Sequence, residues 1–338
     1  MNFTHSESQM SVESAILSLA RESEEFWVPS RGLQRIRVPS VHDCEALLEF
    51  QRKYVSRNVP VVIEDAIDHW PALSKWTPEH LKEKLKDTEV TVAITPDGKG
   101  DCIIDGKFVL PLEKQMKFNE AMDEMMDKSS KRVLYMQTQN DCLSKEFPSL
   151  VEDVEVQLDW ANKILGSHPD AVNLWIGDSR SISSMHKDPY ENFYAVITGS
   201  KEFLLHPPTD YPFLYEKEYP QANFIEEGDK LLIKEFTELP PVSWISVDPD
   251  NPSEQSEQFP LYRHSTPIRV TLNPGEMLYL PSFWFHQVTQ TDMTIAVNLW
   301  YDMDFAQRFC WFQYHKEISA LLHSQRLEIG DRISENHL

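Results

Sequence analysis

Three observations on the amino-acid sequence predict a mainly β fold, a double-sheet jelly roll with flanking helices. Beyond residue 170 the chain divides into short, apolar, strand-like runs separated by turn signals, a pattern typical of two packed sheets. Apolar residues at helical spacing occur mainly before and after that region. The 338 residues, 41% of them hydrophobic, can bury a core without disulfides or a structural metal. At about 150 residues per domain this length would allow two domains, but jelly rolls often exceed it, so we expect one elaborated domain.

The first 170 residues contain mostly helical patterns with a few strands. Val12, Ile16, Leu19 and Ala20 lie at helical spacing, and Ser40-x-x-Asp43 predicts a capping box that opens a second helix. Thr77-Pro78 predicts the start of another helix, with a cap followed by proline. The predicted strands are 59–63, 90–94 and 133–136, and a helical stripe of Phe118, Met122, Met125 and Met126 indicates core packing.

The strand-rich region carries the jelly-roll prediction. Its predicted strands are 171–176, 181–185, 192–197, 202–206, 268–272, 276–280 and 294–300. Thr198-Gly199-Ser200 and Asn273-Pro274-Gly275 are typical of turns, and we interpret both as hairpin turns.

The predicted domain organisation has three parts. Residues 1–40 form a partly flexible, partly helical extension, residues 41–304 form the β domain, and residues 305–338 form a C-terminal helical segment. Residues 207–267 interrupt the strands and hold 10 of the 22 prolines, so this insert faces the substrate or covers the surface. Apolar residues in the C-terminal segment favour closure of the barrel or a dimer.

Charge and cysteine usage restrict the possible partners. The 54 acidic and 32 basic residues give a net charge of −22, which disfavours nucleic acid and favours a cationic partner such as a basic peptide, although solubility alone also explains it. Four well-separated cysteines fit a reducing compartment. The sequence shows no apolar signal core and no run of about 18 apolar residues. We therefore expect a soluble protein in the cytoplasm, with the nucleus as an alternative and no membrane partner.

The triplet His186-Lys187-Asp188 is the strongest chemical signal. Residues i and i+2 of a strand share a face, so an imidazole and a carboxylate can together bind a divalent metal. His286, 98 residues beyond Asp188, is the best candidate for a third ligand. Two histidines and one carboxylate form the facial triad of non-haem Fe(II) oxygenases. A His-x-Asp triplet alone is weak evidence, because a surface hydrogen-bonded pair explains it equally well.

A candidate co-substrate site follows from Lys201. This lysine shares a predicted strand face with Phe203 and Leu205, where an unpaired ammonium would be costly. A dicarboxylate such as 2-oxoglutarate would relieve that cost, whereas a lysine at a strand end can also extend to water. Tyr135, Ser183 and Asn192 could add hydrogen bonds to the same anion, and Asn298 could orient the metal-bound carboxylate. For these polar residues, simple satisfaction of buried backbone groups is an equally good explanation.

Several longer motifs together resemble the JmjC-domain 2-oxoglutarate oxygenases. They are SMHKDPYENFY at 184–194, GSKEF at 199–203, PGEMLYLPSFWFH at 274–286, NVPVVI at 58–63 and HWPAL at 69–73 with Trp76. Further likeness lies at 93–98, 170–175 and 296–303, and the resemblance covers roughly residues 40–315.

The resemblance implies a double-stranded β-helix of the cupin type that binds Fe(II) through His186, Asp188 and His286. It implies 2-oxoglutarate held by Lys201 with Tyr135 and Ser183, a serine where close relatives tend to have threonine. It further implies (3S)-lysyl hydroxylation of developmentally regulated GTP-binding proteins with O2, yielding succinate and CO2, and a homodimer built through C-terminal helices.

Three other functions remain open from the residues. N-methyl-lysine demethylation needs the same metal chemistry, although no reader domain or zinc cluster is evident. A metal-dependent endopeptidase lacks any His-Glu-x-x-His motif or recognisable nucleophile. A non-catalytic cupin scaffold would be expected to lose a metal ligand, whereas all three candidate ligands and Lys201 are present.

Overall fold

The computed structural model describes residues 11–27, 32–228, 230–251 and 257–335. Part of the extension predicted for residues 1–40 and the last residues of the C-terminal segment therefore lie outside the described residues. The helices are α1 Val12–Trp27, α2 Cys44–Phe50, α3 Ala72–Lys75, α4 Pro78–Leu85, α5 Phe118–Met126, α6 Cys142–Lys145, α7 Asp159–Leu165 and α8 Gln307–Glu335. Shorter 3-10 turns span Pro148–Asp153, Pro208–Phe213 and Tyr262–His264, and a π turn spans Gln51–Val55.

The strands of the first half begin near residue 35 and bring the chain to the jelly roll. They are β1 Arg35–Ile36, β2 Val61–Ile63, β3 Glu89–Thr95, β4 Lys99–Gly100, β5 Cys102–Ile104, β6 Lys107–Leu110, β7 Leu112–Lys117, β8 Val133–Met136, β9 Ala171–Gly177 and β10 Ile182–His186. The second half contributes β11 Tyr190–Thr198, β12 Lys201–His206, β13 Glu216–Tyr219, β14 Gln221–Glu227, β15 Lys230–Glu235, β16 Val242–Ile245, β17 Ile268–Leu272, β18 Met277–Leu280, β19 Phe285–Gln290 and β20 Thr294–Asp302.

Two facing sheets confirm the predicted jelly roll. Among the described residues, one sheet has the strand order β1-β2-β18-β11-β20-β9-β8-β3-β7 and the other has the order β17-β12-β19-β10-β4. Side chains from both sheets pack into one cluster, which includes Tyr194 and Leu278 from the first sheet and Phe203 and Val288 from the second. A separate apolar cluster packs the outer side of the larger sheet against α2, α4, α5 and α7.

The hairpin interpretation of two turns was wrong. Thr198-Gly199-Ser200 joins β11 to β12, and Asn273-Pro274-Gly275 joins β17 to β18, yet in each case the two strands belong to different sheets. At both turns the chain passes from one sheet to the other, so the turn connects the two sheets and does not close a hairpin. Gly199 has a φ of +72°, and a Cβ there would lie 2.5 Å from the backbone oxygen of Met293, so only glycine fits this crossing.

The helix caps match the sequence pattern at one site and differ at another. Thr77 caps α4 by accepting a hydrogen bond from the His80 amide at 3.2 Å, and Pro78 is the first helical residue. The second helix begins at Cys44, and its cap is Asp43, which accepts from the amides of Glu45 and Ala46. The predicted capping box starting at Ser40 was therefore wrong, because the short Asp43 side chain already satisfies the free amides.

The insert and the C-terminal helix pack on the same side of the barrel. Residues of the insert, including Tyr211, Phe213 and Ile245, form an apolar cluster with Ile16 of α1 and Phe312 of α8. Within the insert, β13 pairs with β16, and β14 joins β15 and β6 in a small sheet. No helix among the described residues is long and apolar enough to cross a bilayer.

Candidate metal centre and co-substrate pocket

The pairing of two strands brings the candidate histidines together. β10 and β19 are antiparallel neighbours, and His186 lies directly opposite His286 in their register. The two imidazole centroids are 4.2 Å apart. Asp188 follows the end of β10, and its Oδ2 atom lies 3.7 Å from the Nε2 atom of each histidine. One ligand atom from each of the three residues thus lies within 4.8 Å of the others.

Backbone carbonyls fix the orientation of both imidazoles. The Nδ1 atom of His186 lies 2.7 Å from the carbonyl oxygen of Ser184, and that of His286 lies 3.0 Å from the carbonyl oxygen of Trp284. A carbonyl oxygen only accepts, so each Nδ1 carries the proton and each Nε2 presents a lone pair to the shared space. A hydrogen bond from the other ring nitrogen to a carbonyl holds each imidazole in the orientation and tautomer that metal binding needs.

Protonation of His286 is disfavoured in this position. Burial, together with the positive charge that His186 can carry, lowers the pKa of His286 to about 4. His286 is therefore neutral at pH 7 and available as a ligand. Two imidazoles and one carboxylate form a donor set that suits Fe(II) and would leave further coordination positions open.

Lys201 is a fully buried cation at the other end of the barrel interior. Its side chain is 1% exposed, and its Nζ atom donates a hydrogen bond to the Tyr135 hydroxyl at 2.8 Å. No carboxylate pairs with it among the described residues. The rings of Tyr135, Tyr194 and Trp175 lie 5.2, 5.5 and 5.9 Å from Nζ. Burial lowers the pKa of Lys201 to about 7, and an anion placed beside it would favour the charged form.

Tyr135 connects Lys201 to other hydroxyl groups. The Ser183 and Tyr194 hydroxyls both hydrogen-bond to Tyr135, and burial raises the pKa of Tyr135 above its usual value. Tyr194 was not among the site residues predicted from the sequence. It lies two positions after Asn192 on β11 and so shares that residue's face. The structure therefore brings Lys201, Tyr135 and Ser183 into one cluster and adds Tyr194 to it.

The two candidate asparagines contact each other and not Asp188 in the described structure. Asn298 donates to Asn192 at 3.2 Å and accepts from the Trp175 indole at 2.8 Å. Both asparagines nonetheless line the cavity between the metal-binding residues and the tyrosine cluster. That cavity has a volume of about 20 Å³. It is lined by Gln139, Trp175, Ser183, His186, Asp188, Asn192, Tyr194, Phe203, His286, Val288, Asn298 and Trp300.

The insert contributes one residue to the metal centre. Trp244 of β16 lies parallel to the His186 ring, with a centroid distance of 6.0 Å and an interplanar angle of 3°. Its indole nitrogen also donates to the Ser184 hydroxyl at 3.2 Å. The sequence did not identify Trp244, because no periodic pattern in the proline-rich insert marks which side chain returns to the barrel. Trp244 therefore brings β16 of the insert against one of the candidate metal ligands.

The chain matches a known domain model over most of its length. The model is described as a cupin-like domain and covers residues 47–307. This match agrees with the two facing sheets and with the sheet order of the described strands.

Three relatives match nearly the whole chain. A human protein named bifunctional peptidase and (3S)-lysyl hydroxylase JMJD7 is 38% identical, over 89% of this chain and 96% of its own length. JmjC domain-containing protein E of Dictyostelium discoideum is 36% identical, over 88% and 92%. Lysine-specific demethylase JMJ32 of Arabidopsis thaliana is 40% identical, over 88% and 91%.

Proposed function

Because the chain belongs to the cupin-like JmjC family of 2-oxoglutarate-dependent dioxygenases, we propose that it is an Fe(II)- and 2-oxoglutarate-dependent protein lysyl hydroxylase. One observation supports this most strongly. A triad of two imidazoles and a carboxylate lines the same cavity as Ser183 and Tyr194, which connect through Tyr135 to a buried lysine that has no carboxylate partner among the described residues. A metal at the triad and a dicarboxylate reaching toward Lys201 would satisfy both groups at once.

The two ends of the cavity would have different roles, since one would hold the metal ion and the other would bind the distal carboxylate of the co-substrate. Bound Fe(II), with 2-oxoglutarate as the source of two electrons, supplies O2 activation and yields succinate and CO2. His186, Asp188 and His286 would hold the ion, with the imidazole orientations already fixed by the carbonyls of their own strands. Lys201 and Tyr135 would bind the distal carboxylate of the co-substrate, with Ser183 supporting Tyr135.

The proposed product is a protein carrying (3S)-hydroxylysine, and the proposed substrates are developmentally regulated GTP-binding proteins. The human relative is named a (3S)-lysyl hydroxylase, and it aligns with 89% of this chain. The net charge of −22 would favour encounter with a basic segment of a substrate. We place this activity in the cytoplasm, with the nucleus as an alternative, because the four cysteines are unpaired.

N-methyl-lysine demethylation is the second candidate. A plant relative that is 40% identical is named a lysine-specific demethylase, and the same metal and co-substrate would serve both reactions. The human relative's name also includes a peptidase. These three reactions change the mass of a substrate differently, so one experiment separates them.

The experiment is intact-mass analysis of a purified developmentally regulated GTP-binding protein after incubation with the chain, Fe(II), 2-oxoglutarate and air. We expect a gain of one oxygen that is absent with the His186→Ala protein. Loss of a methylene from a methyl-lysine substrate without that gain would favour demethylation. Cleavage that depends on His186 would favour the peptidase, and an unchanged mass alongside succinate formation would refute this substrate.

We also propose that the chain is a homodimer built through α8. The inner side of this helix packs on the barrel through Phe312 and Leu322, whereas Trp311, Tyr314 and Leu321 are more than half exposed and follow helical spacing. A second copy would cover this apolar stripe. Light scattering at micromolar concentration should give a dimer mass, and the Trp311→Glu/Tyr314→Glu protein should be a monomer with an unchanged circular dichroism spectrum. A monomeric wild-type chain would contradict the dimer.

A further inference from the structure

An ion pair between a buried carboxylate and a partly exposed arginine connects the C-terminal helix to the barrel near the metal centre. Glu191 of β11 is 4% exposed, and its Oε1 atom lies 2.7 Å from Nη1 of Arg308 on α8. Tyr279 donates to the other carboxylate oxygen at 2.6 Å. The second guanidinium nitrogen of Arg308 donates to the carbonyl of Val55 at 2.7 Å. A carboxylate with this many donors is costly to leave without its charged partner.

This ion pair joins the two segments that carry the proposed metal ligands. Glu191 lies three residues after Asp188, and Ser282 lies four residues before His286. The Ser282 hydroxyl lies 3.2 Å from both Glu191 Oε1 and Arg308 Nη1. Arg308 therefore contacts one group from each segment with a single nitrogen atom.

A direct backbone contact ties the same segments closer to the metal centre. The Phe283 amide donates to the carbonyl of Asp188 at 2.9 Å. Phe283 has a φ of +66°, a conformation that a bulky residue adopts only where its surroundings enforce it. Phe312 of α8 stacks on the Phe283 ring with a centroid distance of 4.2 Å and an interplanar angle of 8°. The same helix thus supports both the ion pair and the strained residue that holds Asp188.

We propose that Arg308 is a positioning residue for the metal centre, through which α8 keeps the Asp188 and His286 segments at the spacing that metal binding needs. This inference rests on the proposed metal centre. Arg308 touches neither the ion nor the substrate, and it acts through Glu191 and Ser282. Loss of the guanidinium would leave Glu191 with neutral donors only and would remove the contacts through which α8 reaches both segments.

The test is the dissociation constant for Mn(II), a redox-stable probe for Fe(II), measured on the full chain by electron paramagnetic resonance of the free ion. We expect Arg308→Met to raise this constant by about 10-fold or more, the effect typical of removing a residue that supports metal ligands without touching the ion. Arg308→Lys should recover part of the affinity, since lysine restores the charge but not the forked contacts to Ser282 and Val55.

A control on the same helix separates positioning from general destabilisation. Leu322 is buried in the apolar cluster that α8 forms with α1 and the insert, so Leu322→Ala should lower the melting temperature while every hydrogen bond of Arg308 stays in place. We expect this variant to keep its Mn(II) constant within about twofold of wild type. An Arg308→Met constant within twofold of wild type, or an equal rise in both variants, would overturn the inference and leave the proposed function standing. Wild-type affinity in His186→Ala would instead overturn the metal centre itself, and the inference with it.

Discussion

The metal end and the co-substrate end of the barrel have opposite electrostatic needs. At the metal end, two imidazole lone pairs and a carboxylate converge within 4.8 Å and would be stabilised by a cation. At the other end, Lys201 is buried against three aromatic rings with one hydroxyl as its hydrogen-bond partner and would be stabilised by an anion. A metal-chelating dicarboxylate meets both needs. At each end, the charge and donor atoms of the protein groups indicate the chemistry of the ligand that would bind there.

The two ends also differ in how the fold prepares them. The metal ligands depend on backbone geometry, namely the register of β10 and β19 and the carbonyls that orient each imidazole. Lys201 depends on side-chain packing from both sheets, since it lies on β12 while Tyr135 and Tyr194 lie on β8 and β11. Substitutions at the two ends should therefore fail in different ways.

The largest effect should come from the metal end. His186→Ala removes one of three ligand atoms, and we expect it to abolish conversion of 2-oxoglutarate to succinate because no described side chain replaces the missing donor in the cluster. Succinate formation measured at saturating Fe(II) checks this. Retained turnover in this variant would refute the assignment of the metal ligands.

At the co-substrate end, Lys201→Met should raise the KM for 2-oxoglutarate by about 100-fold, because a buried charge-assisted hydrogen bond contributes about 2–3 kcal/mol. Mn(II) affinity without 2-oxoglutarate should be unchanged, which separates this end from the metal end. Lys75→Met, which removes a half-exposed lysine paired with Asp153, is the matched control. A KM within a few-fold of wild type would mean that Lys201 does not bind the co-substrate.

The pH dependence of binding should also distinguish the two ends. Burial lowers the pKa of Lys201 to about 7, and the bound dicarboxylate requires the protonated amine. Affinity for 2-oxoglutarate should therefore fall by up to about tenfold per pH unit above pH 7, with uptake of one proton. Calorimetry in buffers of different ionisation enthalpy measures that proton uptake, and Lys201→Met should remove both the pH dependence and the uptake.

Lys201 should also make the folding stability of the ligand-free protein depend on pH. In the unfolded chain Lys201 is protonated below about pH 10.5, whereas in the native chain it is protonated only below about pH 7. The unfolded chain therefore binds more protons between these values, and this group makes the free energy of unfolding rise with pH in that range.

The smallest expected effect is that of Tyr135→Phe. This change removes one hydroxyl that accepts from Lys201 but leaves the lysine in place, and a typical hydrogen bond contributes about 1 kcal/mol net, so the KM for 2-oxoglutarate should rise by about fivefold. The Ser183 and Tyr194 hydroxyls, which both bond to Tyr135, would remain nearby. A loss as large as that of Lys201→Met would contradict this order and show that Tyr135 contributes as much to co-substrate binding as Lys201.

The sequence was most informative where local pattern and structure coincide. The strand 133–136 has the same bounds in the structure, and Lys201, Phe203 and Leu205 do share one buried face. The turn residues Thr198-Gly199-Ser200 correctly predicted a turn. They did not predict that the next strand joins the other sheet, because strand pairing depends on contacts between residues distant in the chain. Trp244 and Arg308 were missed for the same reason, and the Arg308–Glu191 contact spans 117 residues.

Calorimetric titration of 2-oxoglutarate into the Mn(II)-loaded chain tests the central claim most directly, because the ligand must contact both the metal end and the Lys201 end of the barrel interior. We predict one bound molecule per chain, no binding to His186→Ala and about 100-fold weaker binding to Lys201→Met. Absence of binding to the wild type, or equal binding to all three proteins, would contradict the account.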